Sequence, residues 1–244
     1  MISNKIQKEM LDGVILLDKP AGLSSNQALQ RVKRKLGAAK AGHMGTLDPF
    51  ATGLLICCLG RATKISDFIL KEKKTYRATI QFGKETDSGD LTGKVISSIQ
   101  SPINSINQKN IEFILPDFLG TIQQVPPMYS ALKKNGKPLY KYARQGIEIK
   151  RPPREINVYD IKLLKFNQLE AEIEVMCGRG TYIRVLAQDI GRKIGSYAHV
   201  LSLKRTRIGP FFLNQSISLN NLESMKDPKM AMLSLNELPT SLVT

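Results

Sequence analysis

Residues 74–83, KTYRATIQFG, alternate without a break, with Tyr76, Ala78, Ile80 and Phe82 on one face and Thr75, Arg77, Thr79 and Gln81 on the other. A period of two belongs to extended backbone, so this stretch requires a sheet covered on one side and open on the other. GVILLD at 13–18 is a short apolar run, LLICCL at 54–59 reads as a buried strand, and residues 155–177 read as two strands joined by a turn at Asn167 and Gln168. Further strands are expected near 94–99 and 199–208. Helical patterns fall between them. NQALQRVKRKL follows Ser24 or Ser25 as a cap and precedes Gly37 as a stop, and ATKISDFIL and the segment near 108–119 also read as helices. After Gly180, Ile183, Leu186, Ala187 and Ile190 share one helical face. This irregular order predicts an α+β fold, with a central mixed, mainly antiparallel β-sheet flanked by helices, rather than a parallel βαβ series.

A chain of 244 residues with 42% hydrophobic content can bury a core as one large domain, or as one domain with an appendage. Its 36 Lys and Arg against 21 Asp and Glu leave a charge of +15, which draws polyanions to the surface. Charge alone does not separate RNA from DNA or an anionic membrane. Residues 133–154 concentrate it, with eight Lys or Arg against Glu148 and with Tyr140 and Tyr142 interleaved. That pattern fits an RNA-facing surface, or a solvated basic face over core tyrosines. The opening MISNKIQKEMLDG lacks the apolar core of a secretory signal, and no run is long enough to cross a bilayer, so a cytoplasmic protein without membrane contact is expected. Cys57, Cys58 and Cys177, with His43 and His199, form neither a disulfide framework nor a metal-ligand spacing. The cysteines read as buried small hydrophobes, and no metal is expected.

The densest segment is AGHMGTLDPFATGLL at 41–55, where glycines flank a histidine and an Asp-Pro pair. Taken alone, Asp48-Pro49 is a turn, because Asp bonds its own backbone and Pro fixes the next torsion. The surrounding glycines would also let a ligand or another backbone approach closely. The acidic, turn-rich stretch ETDSGDLTGK reads as a connection in which no chemistry stands out.

The loop GHMGTLDPFATGLL resembles the signature loop of the tRNA pseudouridine 55 synthases, the TruB family. Other blocks match in order: DGVILLDKPAGLSS at 12–25, KTYRATIQFG at 74–83, QVPPMYSALKKNGKPLYKYARQG at 124–146, GRGTYIRVLAQDIG at 178–191 and AHVLSLKRTRIGPF at 198–211. The resemblance implies the pseudouridine synthase fold and an isomerase that converts uridine to pseudouridine in the T loop of tRNA. Nothing is oxidised and no group is lost, so no cofactor is expected; a nucleophile or charge stabiliser and a dry pocket are. By resemblance Asp48 attacks either carbon 6 of the base or the anomeric carbon of the ribose. Arg184 is implied beside it, keeping it ionised through a fork that bonds both carboxylate oxygens. Without the family, Arg184 reads as a phosphate contact or a surface helix residue. Tyr76 is implied to stack on the flipped uracil and to place its hydroxyl near the proton lost from carbon 5. Tyr182 and Leu203 line the same pocket by resemblance, and His43 fills the space left in the RNA. Lys19 is expected to shape the catalytic loop or contact RNA, or else to be a turn-edge lysine.

The resemblance places the catalytic domain at residues 1–214. It leaves 215–244 as a polar tail too short for the PUA domain that most members carry, so that domain is expected to be absent. The expected partner is the T stem-loop of tRNA, met by a monomer with no protein partner. Two rivals remain: the catalytic subunit of guide-RNA-directed pseudouridylation, which shares the core motifs, and a non-catalytic tRNA binder or folding helper on the same fold.

Overall fold

The computed structural model describes residues 11–99 and 106–239. In chain order its elements are β1 (Gly13–Lys19), α1 (Ser25–Leu36), β2 (Ala41–Met44), β3 (Thr52–Leu59), α2 (Ser66–Lys71), β4 (Lys74–Phe82), β5 (Lys84–Thr86), β6 (Val95–Ser98), α3 (Gln108–Ile114) and β7 (Gly120–Gln124). They continue with β8 (Lys133–Lys134), β9 (Lys137–Pro138), α4 (Leu139–Ala143), β10 (Arg154–Asn167), β11 (Glu170–Cys177), α5 (Ile183–Lys193), β12 (Ala198–Ile208), β13 (Phe211–Phe212), β14 (Ile217–Ser218) and α6 (Leu219–Ser224). Unit 1 holds the residues up to Thr75 and from Lys204 on, and unit 2 holds Tyr76–Leu203. The division falls inside β4 and β12.

In unit 1 the strand order is β14, β1, β3, β12, with β2 also on β3 and β13 on β12. The sheet is mixed: β3 runs antiparallel to β1 and β2 but parallel to β12, and β14 runs parallel to β1. Successive residues of β1 and β3 point to opposite faces, and both faces are covered. Ile15, Leu17, Leu55, Cys57 and Leu59 pack with Ala28, Leu29, Val32 and Leu36 of α1. Val14, Leu16, Leu54, Ile56 and Cys58 pack with Ile69, Ile208 and Phe211. Two-sided burial is why LLICCL is apolar at every position rather than at every second one. Burial raises the Cys57 thiol far above its ordinary pKa and pushes Cys58 up to about 12, so both stay protonated and inert.

Helix α1 starts at Ser24, whose hydroxyl accepts from the Gln27 backbone N–H while the Gln27 side chain reaches back to the Ser24 N–H, closing a capping box. It stops at Gly37, left-handed at φ 65°. The helix expected over ATKISDFIL is a 3-10 turn over Gly60–Ile65 followed by the short α2. Residues 215–239, read from the sequence as a polar tail, are built into unit 1. Ile217 pairs with Leu17, Leu219 and Leu222 enter the α1 core, Val14 and Leu233 exchange backbone hydrogen bonds at 2.8 and 2.9 Å, and Leu238 joins the other core.

In unit 2 the sheet runs β12, β4, β11, β10, β7, with β10 antiparallel to β11 and β7. Ala78, Ile80 and Phe82 of β4 are buried, as their alternation requires. Gln168 turns the β10–β11 hairpin at φ 53°. Helix α3 gives way at Leu115 to a 3-10 turn containing Pro116, which has no N–H to continue an α-helix. Together the elements give an α+β fold with a mixed, mainly antiparallel sheet. Among the described residues no helix is long and apolar enough to cross a membrane.

Candidate active site

In unit 1, Asp48 sits half-buried on the loop between β2 and β3, in a turn closed by the Ala51 N–H donating to the Asp48 carbonyl at 3.1 Å. The loop backbone is held from several sides. Ser25 Oγ accepts from the Leu47 N–H at 2.8 Å and donates to the Leu47 carbonyl at 3.0 Å. The Gly22 N–H donates to the Pro49 carbonyl at 2.8 Å. Lys19 has no exposed surface, and its ammonium reaches the carbonyls of Pro20, Leu23 and Pro49 at 2.8, 2.7 and 3.4 Å. A side chain so enclosed has no face to offer a phosphate. Burial pulls its pKa down to about 8, opposed by the charge of Asp48, assisted by Arg205 and opposed again by Asp18.

His43, on β2, is half-buried, and its buried Nδ1 has no hydrogen-bond partner among the described residues. Burial first, and then the Arg205 cation, lower its pKa, so the ring is neutral at pH 7 and adds no charge to this face. Arg205, which the sequence reading passed over, is 1% exposed and donates from Nε to the Leu54 carbonyl at 2.8 Å and from Nη2 to the Gly45 carbonyl at 2.9 Å.

In unit 2, Arg184 lies in the first turn of α5 and is 2% exposed, so it is neither a surface helix residue nor placed to meet a phosphate. Its guanidinium donates to the Ser88 carbonyl and, at 2.8 Å, to the Tyr129 carbonyl, and it pairs with Asp90 at 3.6 Å. Asp90 is itself buried and accepts from Ser88 Oγ, the Thr92 N–H and Thr92 Oγ1 at 2.9, 2.9 and 2.6 Å. Isolated, either charge would be costly at this depth; paired and hydrogen-bonded, both are tolerated. Asp90 comes from ETDSGDLTGK, where no chemistry had stood out. Its signal was the Ser88-x-Asp90-x-Thr92 spacing beside Gly89, where φ is 75° and an added Cβ would lie 3.1 Å from Arg184 Cβ.

Tyr182 caps α5 and is held through its backbone: its N–H donates to Gln124 Oε1 at 2.8 Å and its carbonyl accepts from Gln124 Nε2 at 3.1 Å. Tyr76, the first unit 2 residue of β4, is half-buried, and Leu203, on β12, is buried. A cavity of about 590 Å³ also opens in unit 2. Ser88 and Tyr129, the two residues whose carbonyls hold Arg184, line it, whereas Tyr76, Tyr182, Arg184 and Leu203 do not. In the basic segment, Tyr140 and Tyr142 are half-buried rather than core residues, with Arg144 over the first ring at 5.4 Å and Lys137 over the second at 4.4 Å.

Comparison with known proteins gives a consistent match. The family model described as TruB family pseudouridylate synthase (N terminal domain) matches residues 33–183, and the tRNA pseudouridylate synthase B C-terminal domain matches 184–236. A Bordetella avium protein named tRNA pseudouridine synthase B is 60% identical over 98% of this chain and 98% of its own length. A namesake from Chromobacterium violaceum is 49% identical over 93% of this chain and 74% of its own. Among solved structures, a chain of a Cbf5-Nop10-Gar1 complex superposes with a TM-score of 0.73 at 28% identity over 96% of this chain, which spans 63% of that one.

Proposed function

This chain belongs to the TruB family of pseudouridylate synthases, and from that premise we propose that it isomerises uridine 55 in the T loop of tRNA to pseudouridine, with Asp48 as the catalytic carboxylate. In this reaction the bond from the ribose anomeric carbon to N1 breaks, the base turns, and the same carbon bonds to carbon 5. Carbon 5 loses a proton and N1 gains one. What the protein supplies is an anionic group at the breaking bond, a ring surface for the extruded base and exclusion of water.

The observation that best supports Asp48 is the immobilised turn on which it sits, with carbonyls at Gly45, Leu47, Pro49 and Leu54 each held by a buried side chain. A carboxylate that attacks a carbon or steadies a developing cation gains most from having its direction fixed beforehand. Attack on base carbon 6 and attack on the anomeric carbon both use that fixed oxygen. Arg184 keeps Asp48 ionised, Tyr76 stacks on the uracil, Tyr182 and Leu203 line its pocket, and His43 occupies the space the base leaves. Lys19 acts through the loop rather than on RNA. We also read the chain as a cytoplasmic monomer that needs no protein partner.

The test is to map pseudouridine by nucleotide in a bare tRNA transcript treated with purified protein, beside Asp48→Asn. Wild type is expected to modify the T loop without guide RNA or accessory protein, and the variant to bind tRNA as tightly while forming no product. Wild-type rates from Asp48→Asn would remove Asp48 from its role. A requirement for guide RNA would favour the rival reading of a guide-RNA-directed catalytic subunit.

A further inference from the structure

The guanidinium of Arg205 is among the most deeply buried charged groups in unit 1, and the proposed reaction gives it no task. It comes from β12 where that strand runs parallel to β3, with Arg205 registered on Gly53. The contact of the two backbones is close enough that a Cβ on Gly53, whose φ is +99°, would lie 2.3 Å from the Arg205 carbonyl oxygen. From there the side chain reaches two carbonyls that are far apart in sequence: Gly45, where the Asp48 loop leaves β2, and Leu54, where the chain has re-entered β3. Gly45 lies against it too, since a Cβ there would be 3.3 Å from Arg205 Nη1. One planar, rigid fork thus ties the entry of the loop to its exit.

Stability is a poor reason for such a group. A buried cation gives up its hydration, and an apolar side chain of similar length fills the same volume. What an apolar chain does not supply is the fixed distance between the two loop ends. Lys19 and Ser25 hold the middle of the loop, at Pro49 and Leu47, and neither reaches its ends.

We propose that Arg205 is a positioning residue for the isomerisation, setting the span of the 45–54 loop and thereby the direction in which Asp48 is presented. The inference rests on Asp48 being the catalytic carboxylate. Arg205→Met and Arg205→Lys are to be compared with wild type, with Asp48→Asn, and with Ser24→Ala, which weakens α1 without touching the loop. The readouts are kcat and KM on tRNA and hydrogen exchange at the amides of residues 46–53 and of β1. Arg205→Met is expected to lose about 100-fold in kcat, as a displacement near 1 Å at a reacting group does, with KM unchanged. Arg205→Lys, whose single ammonium cannot occupy both the Nε and the Nη2 positions of the fork, should fall between it and wild type. Loop amides should exchange faster in both variants while β1 amides keep wild-type protection. Wild-type kcat in both variants overturns the proposal, and so does a loss of kcat accompanied by faster exchange throughout β1, because that is a merely structural role. If Arg205→Met precipitates, Arg205→Lys carries the same test. Full activity in Asp48→Asn defeats the reading of Asp48 instead, and is told apart because it leaves the Arg205 exchange pattern standing.

Discussion

At the scale of single residues, Lys19 shows how far a local reading goes. DKPAG looks like an exposed turn, and nothing within it announces that the lysine is enclosed. The enclosure comes from Pro49, thirty positions on, whose carbonyl the ammonium meets. Because burial holds its pKa near 8 against an ordinary value of 10.5, its proton leaves within a range that assays can reach. The sign differs for stability and for rate. Between about 8 and 10.5 the unfolded chain binds more protons at this group than the folded one, so stability rises with pH relative to a Lys19→Met variant. Below about 8 the cost of burying the charge is constant. Catalysis should move the other way, since a neutral amine grips the Pro49 carbonyl less strongly and the Asp48 turn loosens. Wild-type single-turnover rates are therefore expected to decline as pH passes 8, with that limb missing in Lys19→Met. A limb of the same midpoint in the variant would assign the titration to another group.

At the scale of elements, periodicity was a sound guide wherever a face is buried, because the same burial that selects apolar residues fixes strand and helix register. The β4 alternation, the β10–β11 hairpin turning at Gln168 and the buried face of α5 were all legible for that reason. The 3-10 turns at 60–65 and 115–118 were not, since the pattern of burial does not distinguish one tight helical turn from another. Asp90 left only the local Ser88-x-Asp90-x-Thr92 spacing, and its pairing was illegible on different grounds. Its partner Arg184 lies ninety-four positions on, and a buried ion pair leaves no periodic trace. The start of α1 was read as Ser24 or Ser25, and the structure divides two tasks between them. Ser24 caps the helix, while Ser25 turns inward to grip Leu47. Ser24→Ala should cost about 1 kcal/mol of stability in thermal melts and leave kcat alone. Ser25→Ala should cost a similar amount by leaving a buried N–H unpaired, and should lower kcat as well. Equal kcat values in the two variants would mean that the Leu47 grip has no bearing on Asp48.

For the whole molecule, two sequence-level quantities have structural consequences. The first is length. Removing residues 215–244 would strip unit 1 of Leu219, Leu222 and Leu238 from its cores and of the Leu233 pairing with β1. Each buried leucine is worth about 2–5 kcal/mol, against roughly 5–15 kcal/mol for a whole domain. Such a truncation is expected to be insoluble or unfolded by circular dichroism, where a mere tail would be dispensable. The second quantity is charge. Binding that neutralises phosphates releases condensed counterions, so log affinity for tRNA should fall linearly with log salt, at about 0.7–0.9 per phosphate contact. Lys133, Lys134 and Lys150 are exposed and belong to the segment where basic residues outnumber acidic ones most heavily. Their joint replacement by alanine should weaken tRNA binding and flatten that slope by about two to three contacts' worth. At saturating tRNA the rate should stay at the wild-type value, because no reacting group has moved. An unchanged slope would mean that the basic segment faces solvent and that the polyanion is held elsewhere, while a reduced rate at saturation would mean that this surface also helps to deliver the base to Asp48.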